Sequence, residues 1–154
     1  LLPGPLVVAP APGPGVNSAQ AVFIEAFLTA ALVLAVLMLA VTRQRTKPLA
    51  PIGIGLTLFA GQLWGTIYTG AAMNTARAFG PAVVTGFHKQ HWVYWVGPSI
   101  GCLMATGLFH FLKHIQYWNL NPDQDSSDFE KSPPGPLAQV TGQLEGAQNG
   151  YAKV

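Results

Sequence analysis

The chain has 154 residues, of which 50% are hydrophobic and only 9% are charged, and its formal net charge is +2. Soluble domains carry about a quarter charged residues, so this composition, with a mean hydropathy of +0.35, indicates that much of the chain lies in a membrane. No basic run points to nucleic acid, and the single Cys102 excludes an intramolecular disulfide and a cysteine metal cluster.

The first stretch, residues 1–19, is rich in Pro and Gly and is predicted to form a loop. The following segment, 21–41, is apolar except for Glu25 and Thr29 and is long enough to span a bilayer as a helix. Either of the two polar residues just before it, at positions 17 and 18, can cap that helix.

A basic connection, 42–47, follows the first span and carries two Arg and one Lys. The positive-inside rule places this connection in the cytoplasm, which makes the 1–19 loop extracellular. The second predicted span covers 49–69. Small residues recur there every four positions and allow close approach of neighbouring helices; these are Gly53, Thr57, Gly61 and Gly65.

A segment too short to cross a membrane comes next. Residues from about 75 to 85 are predicted to form a half-helix that begins after Asn74 and ends at Gly86. The third predicted span covers 92–112 and contains a second small-residue stripe, formed by Gly97, Gly101 and Ala105. Three aromatic residues at its start are typical of an interfacial belt: Trp92, Tyr94 and Trp95. The polar remainder, 115–154, is predicted to be a disordered cytoplasmic tail.

The half-helix carries the most specific chemistry of the chain. No Asp, Glu, Lys, Arg or His occurs from Pro48 to Ala76, and Arg77 then follows Asn74 by three positions. A helix N-terminus inside a membrane has unpaired N–H groups and a partial positive charge. With the donors of Arg77, such an end would admit neutral molecules oxygen-first and exclude cations and protons. The alternative is that Arg77 is an interfacial anchor and Asn74 an ordinary helix cap.

Glu25 is the only acidic residue within the predicted spans. A buried carboxylate must be paired, hydrogen-bonded or protonated. We therefore expect Glu25 to accept backbone N–H groups of the non-helical stretch near 70–74, as a structural support. A proton relay is the sharper alternative, but no other group in the spans could continue it.

Enzymatic and metal chemistry find little support in the sequence. Two histidine pairs flank the third span at opposite ends, without a close acidic partner. No Ser/His/Asp set, phosphate-binding loop or dinucleotide glycine pattern occurs, and we predict neither an enzyme, a cofactor nor a metal site.

Several runs together resemble the aquaporin, or major intrinsic protein, family, especially its fungal members. They are Phe23-Ile24-Glu25-Ala26-Phe27, Tyr68-Thr69-Gly70, Asn74-Thr75-Ala76-Arg77-Ala78-Phe79-Gly80-Pro81 and His91-Trp92-Val93-Tyr94-Trp95-Val96-Gly97-Pro98. The resemblance covers residues 1 to about 118 and corresponds to the C-terminal half of such a channel, with the channel half at 20–114. It implies an all-α membrane protein: half of a six-helix bundle, with three transmembrane helices and one re-entrant half-helix.

The resemblance also implies site residues and partners. Asn74, Thr75 and Ala76 stand at the family's Asn-Pro-Ala motif, with Thr75 in place of Pro. Three of the four residues of the family's narrow constriction correspond to Gln62, Ala71 and Arg77, and Gly70 and Gly80 would support the structure. The expected partners are membrane lipid, water and small neutral solutes, in a homotetramer of the full-length channel with one pore per subunit.

Three functions remain open at this point. Water-selective members carry His where Gln62 stands, whereas glycerol-type members carry a small residue there and an aromatic one at the Ala71 position. Because Ala82, Tyr94 and Trp95 match the water-type pattern, the resemblance favours a water channel, with hydrogen peroxide as a further solute. The alternatives are a facilitator of glycerol or other small solutes, and a non-conducting fragment. The membrane would be the plasma membrane or an internal one.

Overall fold

The computed structural model describes residues 9–41, 47–115 and 117. Within these ranges the chain forms four α-helices: α1 (Ser18–Val36), α2 (Ala50–Thr69), α3 (Thr75–Thr85) and α4 (Val93–His114). A π-helical turn, Leu37–Val41, extends α1, and a 3-10 turn, Lys47–Leu49, precedes α2. The predicted basic connection before Lys47 and the predicted tail after Tyr117 lie outside the described residues.

Three of these helices are long and apolar enough to cross a membrane: Ser18–Val41 (α1 with its π-helical turn), α2 and α4. The expectation of an all-α membrane protein with three spanning helices and one shorter helix is thereby confirmed for the described residues. The long helices α1 and α4 form the most extensive pair, and α2 packs against α1.

The start of α1 lies three residues before the predicted span, and the cap predicted at position 17 or 18 is confirmed at Asn17. The helix begins at Ser18, within the 1–19 stretch predicted as a loop. A capping box explains the earlier start: the Gln20 N–H donates to Asn17 Oδ1 at 2.9 Å, and the Asn17 N–H donates to Gln20 Oε1 at 3.0 Å. Two of the otherwise unpaired N–H groups at the helix start are satisfied in this way, which stabilises the extra turn.

Small residues bring α4 into close contact with α1. Gly97, Gly101 and Ala105 are buried along one face of α4. A Cβ atom at Gly97 would lie 2.8 Å from the Cβ of Glu25, and one at Gly101 would collide with the carbonyl oxygen of Ala26. The interface therefore needs glycine at both positions, and it places Glu25 deep between the two helices.

Side chains from α1 and from the segment that follows α2 pack against the small-residue stripe of α2. A Cβ atom at Gly65 would lie 2.5 Å from Leu28 of α1, and one at Gly61 would lie 3.0 Å from the sulfur of Met73. The opposite side of α2 is exposed and strongly apolar; it includes Ile52, Leu56, Phe59, Leu63 and Ile67. Such a surface is stable only against lipid or against further protein.

Candidate functional site

The short helix α3 begins at Asn74, which caps it. Asn74 has extended backbone angles (φ −156°, ψ 119°), and its Oδ1 accepts the N–H groups of Ala76 at 2.8 Å and of Arg77 at 3.3 Å. With its oxygen so used, the side-chain amide keeps two N–H donors for other partners. The helix ends where Gly86 takes φ +95°, a conformation that favours glycine.

A non-helical loop, 70–73, connects α2 to Asn74. Gly70 ends α2 with φ +78°, but Ala71 (φ +45°) and Met73 (φ +51°) also lie in the left-handed region. A residue with a Cβ atom loses about 1–2 kcal/mol there. The surroundings must therefore hold this loop in place, and strain of this kind is typical of functional sites.

Glu25 holds the loop in place by accepting hydrogen bonds from it on the buried side. Its carboxylate is completely buried. Oε1 accepts the Thr69 hydroxyl at 2.7 Å and the Ala72 N–H at 2.9 Å, and Oε2 accepts the Met73 N–H at 2.8 Å. The hydrogen bonds that the sequence predicts between Glu25 and this stretch are therefore present, and the added partner is Thr69.

Every backbone N–H of the loop has a partner. The Gly70 N–H donates to the Thr66 carbonyl at 3.0 Å, and the Ala71 N–H donates to the Thr69 hydroxyl at 3.3 Å. Since the Thr69 hydroxyl accepts from Ala71, its own proton is directed to Glu25. All four donors are thus used by atoms of this chain.

Tyr94 completes the buried network, and its position corrects a prediction. The interfacial belt was expected to contain Trp92, Tyr94 and Trp95, but Tyr94 is fully buried whereas the two Trp rings are about half exposed. The Tyr94 hydroxyl donates to the Thr69 carbonyl at 2.6 Å. The reason is helical register: Tyr94 lies three residues before Gly97 and seven before Gly101, on the face that meets α1.

The N-terminus of α3 is also tied to α4. The Thr75 hydroxyl donates to the Tyr94 carbonyl at 2.9 Å. Ala78, one turn later, is buried against Ala72 and the Tyr94 ring. Ala76 and Gly80 lie on the exposed side of α3, where a Cβ atom at Gly80 would meet nothing within 4 Å.

Gln62, Ala71 and Arg77 are brought together by one oxygen atom. The Ala71 carbonyl accepts Gln62 Nε2 at 2.8 Å and Arg77 Nη1 at 3.1 Å, and Arg77 Nη1 also lies 3.3 Å from the Gly70 carbonyl. Arg77 itself is exposed, so its remaining N–H groups are accessible. The Ala71 methyl group is buried beside Gly65. Ala71 therefore contacts Gln62 and Arg77 through its backbone carbonyl and not through its side chain.

A segment that precedes α1 lies across the same region. The Gly13 N–H donates to the Tyr68 carbonyl at 2.8 Å. Pro10 packs so closely on Gly70 that a Cβ atom there would lie 2.8 Å from the proline Cβ. The Pro10 carbonyl accepts His88 Nε2 at 3.0 Å, which requires the proton on that nitrogen.

The four histidines lie in two separate groups, which is not the arrangement of a metal site. The His88 and His91 rings are 5.7 Å apart near the start of α4, and His110 and His114 lie toward its other end. Among the described residues, no group of three or more potential metal ligands occurs. Burial and, to a smaller degree, the neighbouring His88 lower the pKa of His91.

The sequence does not predict the contacts of three contributors to the site: Thr66, Thr69 and the buried Tyr94. Only Tyr94 carries a usable signal, because its spacing to the glycine stripe of α4 marks the buried face. The two threonines act through contacts that depend on the loop conformation.

Comparison with known proteins agrees with this architecture. The family model of the major intrinsic protein matches residues 5–110. Aquaporin-1 of Laccaria bicolor is 59% identical over 132 residues, which are 85% of this chain and 42% of that protein. Aquaporin-1 of Gibberella zeae is 48% identical over 86% of this chain and 42% of its own length.

A longer match is found with Aquaporin-1 of Botryotinia fuckeliana, which is 40% identical over 154 residues, or 99% of this chain and 32% of that protein. This chain therefore spans less than half the length of these curated relatives.

Proposed function

This chain belongs to the major intrinsic protein family of membrane channels, which are not enzymes, and we propose that it forms one half of a passive channel for water. Hydrogen peroxide and other neutral solutes of similar size would pass with water, and ions and protons would be excluded. The complete channel would be a homotetramer with one pore in each subunit.

The observation that carries this proposal is the convergence of Asn74, Arg77 and Gln62 beside the 70–73 loop. The N-terminus of α3 has a partial positive charge, and Arg77 adds a full one within the same turn. Both repel cations, and the free N–H groups of the Asn74 amide and of the Arg77 guanidinium orient a water molecule oxygen-first. Accordingly, neutral molecules that accept hydrogen bonds should pass, whereas cations and protons should not.

A facilitator of glycerol is the second candidate on the ground of pore width alone, because Ala71 lacks the aromatic ring that the family's glycerol-type members carry there. Ala71 is small, and its methyl group is buried beside Gly65. Neither Gln62 nor Ala71 therefore places an aromatic ring at this point, and the fourth constriction residue of the family corresponds to none in this chain. Room for a polyol would then depend on the other half of the channel.

The test uses a complete channel assembled from two relatives. The part of Laccaria bicolor Aquaporin-1 that precedes the matched region is joined to residues 1–154, and the product is reconstituted into vesicles. Shrinkage after osmotic shock is followed by light scattering, first with sucrose and then with glycerol. The intact Laccaria protein and empty vesicles serve as controls.

We expect fast shrinkage in both solutes, without re-swelling in glycerol. Re-swelling in glycerol would establish the facilitator instead. Shrinkage no faster than in empty vesicles, while the intact relative conducts, would refute a channel function for this half.

Residues 1–154 alone are proposed not to conduct. The family's pore requires two halves of opposite orientation, and the basic connection 42–47 favours a single orientation. Two copies would then insert with the same orientation, so the pair of oppositely oriented halves that the pore requires would not form. Vesicles that contain only this chain and shrink faster than empty ones would contradict this.

A further inference from the structure

The amide group of Gln62 is held on both of its sides. Its Nε2 donates to the Ala71 carbonyl at 2.8 Å, and its Oε1 lies 3.2 Å from the hydroxyl of Thr66, one helical turn further along α2. The single proton of that hydroxyl is shared between Gln62 Oε1 and the Gln62 backbone carbonyl, which is the nearer acceptor at 2.6 Å and keeps the Thr66 side chain over this turn. Reversing the amide would place Oε1 against the Ala71 oxygen, with two acceptors facing each other.

The shared carbonyl determines which groups remain free. The Ala71 oxygen accepts from both Gln62 and Arg77, so both of its lone pairs are used. The second N–H of Gln62 Nε2 and the other guanidinium N–H groups of Arg77 have no part in that contact. A solute at this point meets donors, and it can bind them only through an oxygen lone pair.

We propose that Thr66 is a positioning residue for solute selectivity, because it holds Gln62 in this single orientation beside Arg77. The substrates selected are small molecules that present an oxygen acceptor, such as water and hydrogen peroxide, in preference to the bulkier glycerol. Without the Thr66 hydroxyl, Gln62 gains rotamers that withdraw its amide and widen the passage. This inference rests on the proposed channel function. It adds Thr66, which lies outside the runs that resemble the family.

The experiment compares four variants of the chimeric channel described above. Thr66→Val removes the hydroxyl while keeping the shape, Thr66→Ala removes it with a good helix former, and Thr66→Ser keeps it. Thr57→Val is the matched control, because the Thr57 hydroxyl makes the same kind of contact with a carbonyl one turn back, that of Gly53 at 2.9 Å. The readout is the ratio of glycerol to water permeability in vesicles.

We expect Thr66→Val and Thr66→Ala to raise that ratio about fivefold, the effect of losing one neutral hydrogen bond. Thr66→Ser and Thr57→Val should match the unsubstituted chimera. In a Gln62→Met background, Thr66→Val should have no further effect, since the residue it positions is gone.

Two results would overturn the inference. One is an unchanged ratio in both Thr66→Val and Thr66→Ala; the other is a shift that persists in the Gln62→Met background. These are distinct from failure of the proposed function, in which the unsubstituted chimera itself would not conduct water.

Discussion

Replacing Glu25 by glutamine tests the central support of the loop. The carboxylate accepts three donors, from Thr69, Ala72 and Met73, at 2.7–2.9 Å in full burial. A glutamine oxygen can keep the first two, but its NH₂ group then faces the Met73 N–H, donor against donor. One hydrogen bond to a charged group is lost, about 1.5–3 kcal/mol, and one buried N–H is left unpaired, about 1–3 kcal/mol.

The expected loss of folding free energy is therefore about 2.5–6 kcal/mol, a large part of a typical stability of about 5–15 kcal/mol. Denaturant titration of the purified chimera measures it, and folded yield on size-exclusion chromatography should fall in parallel. Thr29→Val is the matched control: Thr29 is buried one turn further along α1, and its hydroxyl has no hydrogen-bond partner among the described residues.

Two outcomes would contradict this reasoning. A Glu25→Gln variant within about 1 kcal/mol of the unsubstituted chimera would mean that the loop does not depend on the carboxylate. A stable variant that has lost only water permeability would mean that Glu25 acts in the passage itself. In either case the role of Glu25 as a support would have to be given up.

Three further predictions concern charge, pH and the helix start. Arg77→Val should let protons and small cations leak, because it removes the fixed charge beside the loop; a pH-sensitive dye inside vesicles measures the leak, with the exposed Lys89→Val as control, and an unchanged leak would refute the assignment. The pKa of His91 is lowered from 6.5 by burial and then by the adjacent histidine. As the pH falls, the His91 imidazole therefore takes up a proton in the unfolded chain before it does so in the folded chain. The free energy of unfolding should decrease from about pH 6.5 down to the pKa of His91 in the folded state. In His91→Phe that decline should flatten in thermal unfolding, and an equally steep decline would contradict it. Thr75→Pro should change the melting temperature little, because the fixed φ of proline suits the first helical position while the 2.9 Å hydrogen bond to Tyr94 is lost, each worth about 1 kcal/mol; a loss above about 2 kcal/mol would show that the Tyr94 contact dominates.

Local signals account for what the sequence predicted well. Asn74 and Gly86 bound α3 because an Asn cap and a glycine with positive φ act within one turn of the chain. The partners of Glu25 could be inferred from two deficits, a buried carboxylate that lacks donors and a non-helical loop that lacks acceptors. The three long helices follow from the length of the apolar runs.

The features that the sequence missed depend on contacts between distant segments. The burial of Tyr94 requires knowing that its face of α4 meets α1. The orientation of Gln62 follows from the strained loop that presents the Ala71 carbonyl, and no propensity encodes left-handed Ala71 or Met73. The contact of Pro10 with Gly70 likewise arises only when the chain folds back over the end of α2.

The way in which the 70–73 loop is held bears on how fast a channel of this kind can work. All four N–H groups of the loop end on atoms of this chain. The shape of the loop therefore needs no help from whatever passes it, and departing molecules break no bond on which the fold depends. In the proposed channel, the loop therefore needs no conformational cycle between the passage of one molecule and the next.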